Sequence, residues 1–294
     1  MLKTFRATTS AMVLALALCV GAAPCLAFDY TPPENQPDFR QDALRLIDAG
    51  CYDDYLSDRV GEFAADYPET FAFAGEDRVR LFIAMSLAKG LHYNLFAGRE
   101  IGSLRAMMLI LGSGFDADPL YPWARFPVFP PKDPDEENPE SWVHMCNVWK
   151  RFVIFHRNSV GYSNGEYTWK AAYNALMRTI KLRFEDLANL DPEAVVTLMA
   201  RIYPERYAQL PGRTVLLDRL MKLAEQKAAQ HGMPTRAGRN LFAGIFFYCG
   251  SSADENPLYE PLFEGLDAFP RHGFAREREL FGRLMHYLEE DAGR

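Results

Sequence analysis

Apolar residues recur along this chain at spacings of three and four. Val79, Phe82, Ile83, Leu87 and Gly90 form one stripe, and Leu217, Leu220, Met221, Ala224 and Ala228 form a second. Leu280, Phe281, Leu284, Met285 and Leu288 form a third. Such spacing gives each segment one apolar face and predicts an amphipathic helix. The same reading places further helices near 38–49, 52–66, 99–112, 140–157, 166–182, 191–203 and 236–249. No long stretch alternates with period two, and Gly and Pro fall mostly between the helical segments. The predicted fold is all-α, a single array of packed helices.

Two segments interrupt the pattern. Residues 28–38 hold Pro32, Pro33 and Pro37 and read as an extended lead-in. Residues 127–139, PVFPPKDPDEENP, read either as a surface loop or as a linker joining pseudo-halves 38–126 and 140–294.

Gly112-Ser113-Gly114-Phe115-Asp116-Ala117-Asp118-Pro119-Leu120-Tyr121 aligns without gaps on Gly250-Ser251-Ser252-Ala253-Asp254-Glu255-Asn256-Pro257-Leu258-Tyr259, 138 positions later. Six of the ten pairs are identical, and each segment follows an apolar helical run, so the pattern predicts an internal duplication of a helix–loop–helix unit. Upstream of each, a partner helix is expected to end near Gly90 and Gly232. Gly112 and Gly250 suit a left-handed helix end. Asp118 and Asn256 suit the cap of a next helix opened by Pro119 or Pro257. Asp116 with Asp118, and Asp254 with Asn256, could also face a calcium ion, but the glycine-bearing loop that calcium sites use is missing.

Loops held on a rigid scaffold commonly carry binding residues. Asp116, Asp118, Tyr121, Trp123, Asp254 and Tyr259 are therefore the candidate binding residues. Tyr121 and Trp123 are either interface anchors or core residues of the following element. The element Gly112-x-x-Phe115-Asp116-x-Asp118-Pro119-x-x-Pro122-Trp123 resembles one found in small helical exported proteins, some of them encoded beside type VI secretion effectors. The resemblance covers about 88–125, and more weakly 229–261, where the Phe and the Pro-Trp ending are missing. It implies an interaction role and carries over no catalytic residue.

The N-terminus changes where such a protein is expected to act. Lys3 and Arg6 precede an apolar run over residues 11–23, and Cys25 and Ala27 occupy the −3 and −1 positions of a signal-peptidase site. Cleavage is expected between Ala27 and Phe28, giving a periplasmic or secreted protein. Lipidation at Cys25 is the alternative, disfavoured by Pro24. Loss of residues 1–27 removes two positive charges from a chain of net charge −7 and leaves −9, a poor match for nucleic acid. No later segment reads as membrane-spanning. Of the cysteines, Cys51, Cys146 and Cys249 remain, enough for one disulfide or none.

Little catalytic chemistry is legible. No phosphate loop, dinucleotide fingerprint, His-Glu-x-x-His, Cys-x-x-Cys or Gly-x-Ser-x-Gly occurs, so no cofactor or metal is expected. His92, His144, His156, His231, His272 and His286 are scattered. Glu166 could be one of the two carboxylates of a glycosidase. The simpler reading is a helix-start capping box formed with Ser163. Aromatics between Trp142 and Tyr173 read as core, or as a sugar or peptide groove. The expected function is a non-enzymatic interaction protein with a protein partner, an immunity or accessory factor for a secreted effector. A peptidoglycan-directed envelope enzyme and a structural or solute-binding periplasmic module are the alternatives.

Overall fold

A computed structural model describes residues 37–50, 52–95, 98–127, 139–210 and 212–291. The leader, Cys51 and linker residues 128–138 lie outside this set. The helices in chain order are α1 (Phe39–Ala49), α2 (Asp53–Asp66), α3 (Pro68–Ala74), α4 (Glu76–His92), α5 (Gly98–Leu111) and α6 (Pro139–Val160). A hairpin of β1 (Tyr162–Ser163) and β2 (Glu166–Tyr167) precedes α7 (Lys170–Thr179), α8 (Phe184–Ala188), α9 (Pro192–Ile202) and α10 (Pro204–Tyr207). Next, α11 (Arg213–Val215) passes through a π turn, Leu216–Leu220, into α12 (Met221–Gln230). The last helices are α13 (Arg236–Cys249), α14 (Glu260–Phe263) and α15 (Ala275–Asp291). The fold is all-α.

Local chemistry sets several helix ends. Asp38 accepts the amide of Gln41 (3.0 Å) to start α1, and Gly50, left-handed at φ 66°, stops it. Asp191 caps α9 through the amide of Ala194 (2.7 Å), with Pro192 at the first helical position. Thr235 caps α13 through Gly238 (2.9 Å).

One hydrophobic core runs from Phe39 to Leu288 and takes residues from both sides of the linker. Helix α4 lies inside it, packed by α1, α2 and α5, and every residue from Leu81 to Gly90 is buried. The residues 138 positions later lie in the π turn and α12, near the surface. There Leu81, Ala84, Leu87 and Ala88 are matched by Arg219, Lys222, Glu225 and Gln226, all exposed. The side chains follow the difference in surroundings.

Four expectations are corrected. The segment near 166–182 does not start as a helix: Asn164 (φ 53°) and Gly165 (φ 87°) turn a two-residue hairpin, and the helix begins at Lys170. Ser163 and Glu166 are paired strand residues rather than a capping box. Asn-Gly is the sequence signal for this turn, because both positions need positive φ. Helix α4 runs past Gly90 to His92, and Asn94 (φ 54°) takes the left-handed position that Gly232 (φ 73°) holds after α12. Pro257 opens a 3-10 helix, Pro257–Tyr259, but Pro119 opens only a turn.

Candidate functional site

The loops after α5 and α13 share their backbone hydrogen bonds. Phe115 N–H reaches Gly112 O as Ala253 N–H reaches Gly250 O. Tyr121 N–H reaches Asp118 O as Tyr259 N–H reaches Asn256 O. The side chains of Asp118 and Asn256 accept from Leu120 and Leu258 (2.7 and 3.1 Å), which fixes the turn before each Tyr. Helices α5 and α13 have the same length and the same offset as the loops.

The two loops touch. Gly112 (φ 100°) and Gly250 (φ 92°) meet backbone to backbone, and a Cβ on Gly112 would lie 2.6 Å from Cys249 O. With ψ 157°, Gly250 is outside the left-handed helical well expected for it. These glycines serve close approach rather than a helix cap. Gly114 donates its amide to Ser252 Oγ (2.7 Å), and Ser251 donates its amide to Asp118 Oδ2 (2.7 Å). Asn256 presents a donor where Asp118 presents that acceptor, and its Nδ2 is buried without a partner.

A lysine and an aspartate brace each loop. Lys89 Nζ bonds Asp116 Oδ1 (2.5 Å) and Ser113 O (3.0 Å), and Tyr93 donates its hydroxyl to Asp116 Oδ2. The pair is sealed, with both side chains 1% exposed and the ammonium 4.5 Å from the Phe39 ring centre. Burial pulls the Lys89 pKa down, opposed by the Asp116 carboxylate. In the second unit Lys227 bonds Asp254 (2.9 Å) and Glu255, and His231 Nε2 lies 3.2 Å from Asp254. This set reaches solvent, with Lys227 14% and His231 28% exposed. Burial lowers the Lys227 pKa, but its two carboxylates outweigh it and leave the pKa raised.

Between the loops and α6 lies a half-buried cation. Arg206, at the end of α10, donates to the Tyr121 hydroxyl and to Tyr248 O (3.3 Å), with its guanidinium near the Phe155 and Phe247 rings. Around it, burial pushes the Asp118 carboxyl up to about 6, against the pull of the Leu120 and Ser251 amides. Burial lifts the Cys249 thiol to about 12 and lowers His156 to about 4, the latter helped by Arg206.

The candidate residues are therefore committed to the fold. Asp116, Asp118 and Tyr121 are buried, and so is Tyr259. Trp123 is half-buried against Tyr121 and Phe155, with ring centres 5.9 Å from each. Only 4% of the Asp254 side chain is exposed. None of the six stands out as a surface anchor, because the two loops cover each other. Asp116 and Asp118 bond different partners rather than converging on a cation. Among the described residues no group of three metal-binding side chains forms. Cys249 is a buried free thiol. Of Trp142, Trp149 and Phe152, which helical spacing assigns to the core, Trp149 and Phe152 are buried and Trp142 is half-buried. Glu166 is exposed on the hairpin.

Sequence reasoning missed Lys89, Tyr93 and Arg206. Extending the ten-residue alignment upstream would have paired Lys89 with Lys227. It also missed the apolar side chains that α6, the hairpin and α7 expose. These are Val143 (57% exposed), Ile154 (58%), Tyr162 and Tyr173. Residues 143–178 hold five Lys and Arg against Glu166 alone, a local excess of positive charge in an acidic chain. No helix of the described residues is long and apolar enough to cross a membrane. No protein-family model, curated protein or solved structure matches this chain.

Proposed function

We propose that this chain is an exported, non-enzymatic helical protein that binds a protein partner through the outer face of α6, the hairpin and α7, as an immunity or accessory factor for a secreted effector. The supporting observation is that face. It holds four of the seven exposed large hydrophobic residues among those described. Val143 and Ile154 are three helical turns apart on one side of α6, about 16 Å by helical rise. Exposed apolar side chains among cations suit an interface with an acidic partner. The two helix–loop–helix units read as duplicates of one ancestral unit whose loops became the central brace and left binding to the periphery.

The test is protection. Co-expression with an effector encoded beside its gene should relieve that effector's toxicity. Ile154→Glu with Tyr162→Ala should abolish relief while the melting temperature stays unchanged. Relief that survives both substitutions would move the interface elsewhere. Release of peptidoglycan fragments by the purified chain would replace the reading with the enzyme alternative.

A further inference from the structure

Four of the nine residues from Gly161 to Trp169 take positive φ: Gly161 (92°), Asn164 (53°), Gly165 (87°) and Trp169 (56°). Between them the chain folds back on itself, pairing Tyr162 with Tyr167 and Ser163 with Glu166. Thr168 closes the base, donating its amide (2.9 Å) and its hydroxyl (3.2 Å) to Gly161 O. Trp169 holds a backbone conformation that a bulky residue rarely adopts. Packing enforces it: the side chain is buried, stacked on Tyr167 (5.6 Å) and edge-on to His156 (5.6 Å). Strain of this kind persists only where the surroundings fix it.

The base is thus tied to α6, where His156 meets Tyr167 and Arg157 covers the Tyr162 ring (4.3 Å). The tip is bare. Residues 162–166 are all exposed, and a Cβ on Gly165 would meet no atom within 4 Å. Charge is divided between the two ends. Glu166, beside the turn, is the only acid from Ser141 to Phe184. Arg157 lies in the last turn of α6, and Lys170 opens α7. A preorganised hairpin gives up little freedom on binding, and its exposed tip suits a concave site. One carboxylate at the tip and cations at the base match a cleft with a basic floor and an acidic rim.

We propose that the hairpin enters such a cleft on the protein partner and blocks it, with Glu166 at the floor and Arg157 and Lys170 at the rim. This rests on the reading that α6, the hairpin and α7 bind a secreted effector. Calorimetric titration of the full chain into the purified effector encoded beside its gene tests it. Wild type should bind one to one. Glu166→Lys should weaken binding about 100-fold with the melting temperature unchanged, because it sets two cations together. If that variant loses its fold, Glu166→Gln should still weaken binding about tenfold, through loss of a charge-assisted bond. Ser163→p-benzoylphenylalanine should cross-link to residues that line one cleft of the effector. No binding by wild type overturns both this inference and the reading beneath it. Binding that Ile154→Glu abolishes and both Glu166 variants leave intact overturns the hairpin's role and keeps the interface on α6. Cross-links confined to a flat or convex surface of the effector overturn insertion.

Discussion

Gly114 donates its amide hydrogen to Ser252 Oγ at 2.7 Å, a bond between two residues that hold the same place in their loops. Beside it Gly112 and Gly250 press backbone on backbone. A methyl group at either glycine meets a carbonyl, Cys249 O or Leu111 O, in a conformation that disfavours any side chain. Gly112→Ala and Gly250→Ala should each cost about 1–3 kcal/mol, the range for a residue held at such strained backbone angles. Gly244→Ala, helical and open, should leave stability equal or raise it by about 1 kcal/mol. Urea midpoints measure all three. Midpoints of the loop variants equal to wild type would mean that the loops are not tightly apposed.

The two lysine–aspartate braces should respond unequally. Removing one partner of a sealed pair leaves a bare charge in the core, at a cost of about 3–5 kcal/mol. Lys89→Met and Asp116→Ala should therefore approach that range, the latter also stranding the Tyr93 hydroxyl. Lys227→Met should cost about 1 kcal/mol, because solvent reaches that site and screens it. Equal losses would mean that the second brace is as dry as the first.

This inequality marks what was legible in the sequence. The stripes at 79–90, 217–228 and 280–288 identify helices because period alone decides which face is apolar. The 138-residue offset locates both loops correctly, yet the inference from loop to surface fails. A loop is exposed only when nothing covers it, and here each loop covers the other through Gly112 and Gly250. That contact joins residues far apart in sequence, and no local pattern encodes it. The exposed helix face over 219–226 was readable, since Arg219, Lys222, Glu225 and Gln226 replace the apolar residues of α4. Arg206 had no local signal, because its rings and hydroxyl come from distant segments. The hairpin was readable in Asn164-Gly165 and was displaced by the stronger helical pattern after it.

Tyr121 should behave as a core residue. Its hydroxyl accepts from Arg206, whose guanidinium is otherwise bonded to Tyr248 O. Tyr121→Phe keeps the ring and removes the acceptor, leaving a half-buried cation one bond short. The expected loss is about 1.5–3 kcal/mol, the value of a hydrogen bond to a charged group. Circular dichroism melts follow it. An unchanged melting temperature would mean that water replaces the hydroxyl at Arg206 and that the centre is less dry than its packing indicates.

Asp118 and His156 flank Arg206 and should act oppositely on stability as pH changes. Asp118 in the fold titrates at about 6, above its ordinary 3.8. Its stabilising contribution is present below pH 4 and is lost as pH rises through 6. His156 in the fold titrates at about 4, below its ordinary 6.5. Its contribution is present above pH 6.5 and is lost as pH falls through 4. Each shift is about two units, worth about 3 kcal/mol, so the pair nearly cancels between pH 4 and 6.5. Removing one member should expose the other. Relative to wild type, His156→Phe should lose stability as pH climbs through that window. Asp118→Asn should gain, even though the loss of the Ser251 bond lowers its whole curve. Denaturant titrations at half-unit pH steps give the two difference curves, which should slope in opposite directions. Curves parallel to wild type would mean that neither group changes its proton affinity on folding, and that solvent reaches the centre around Arg206.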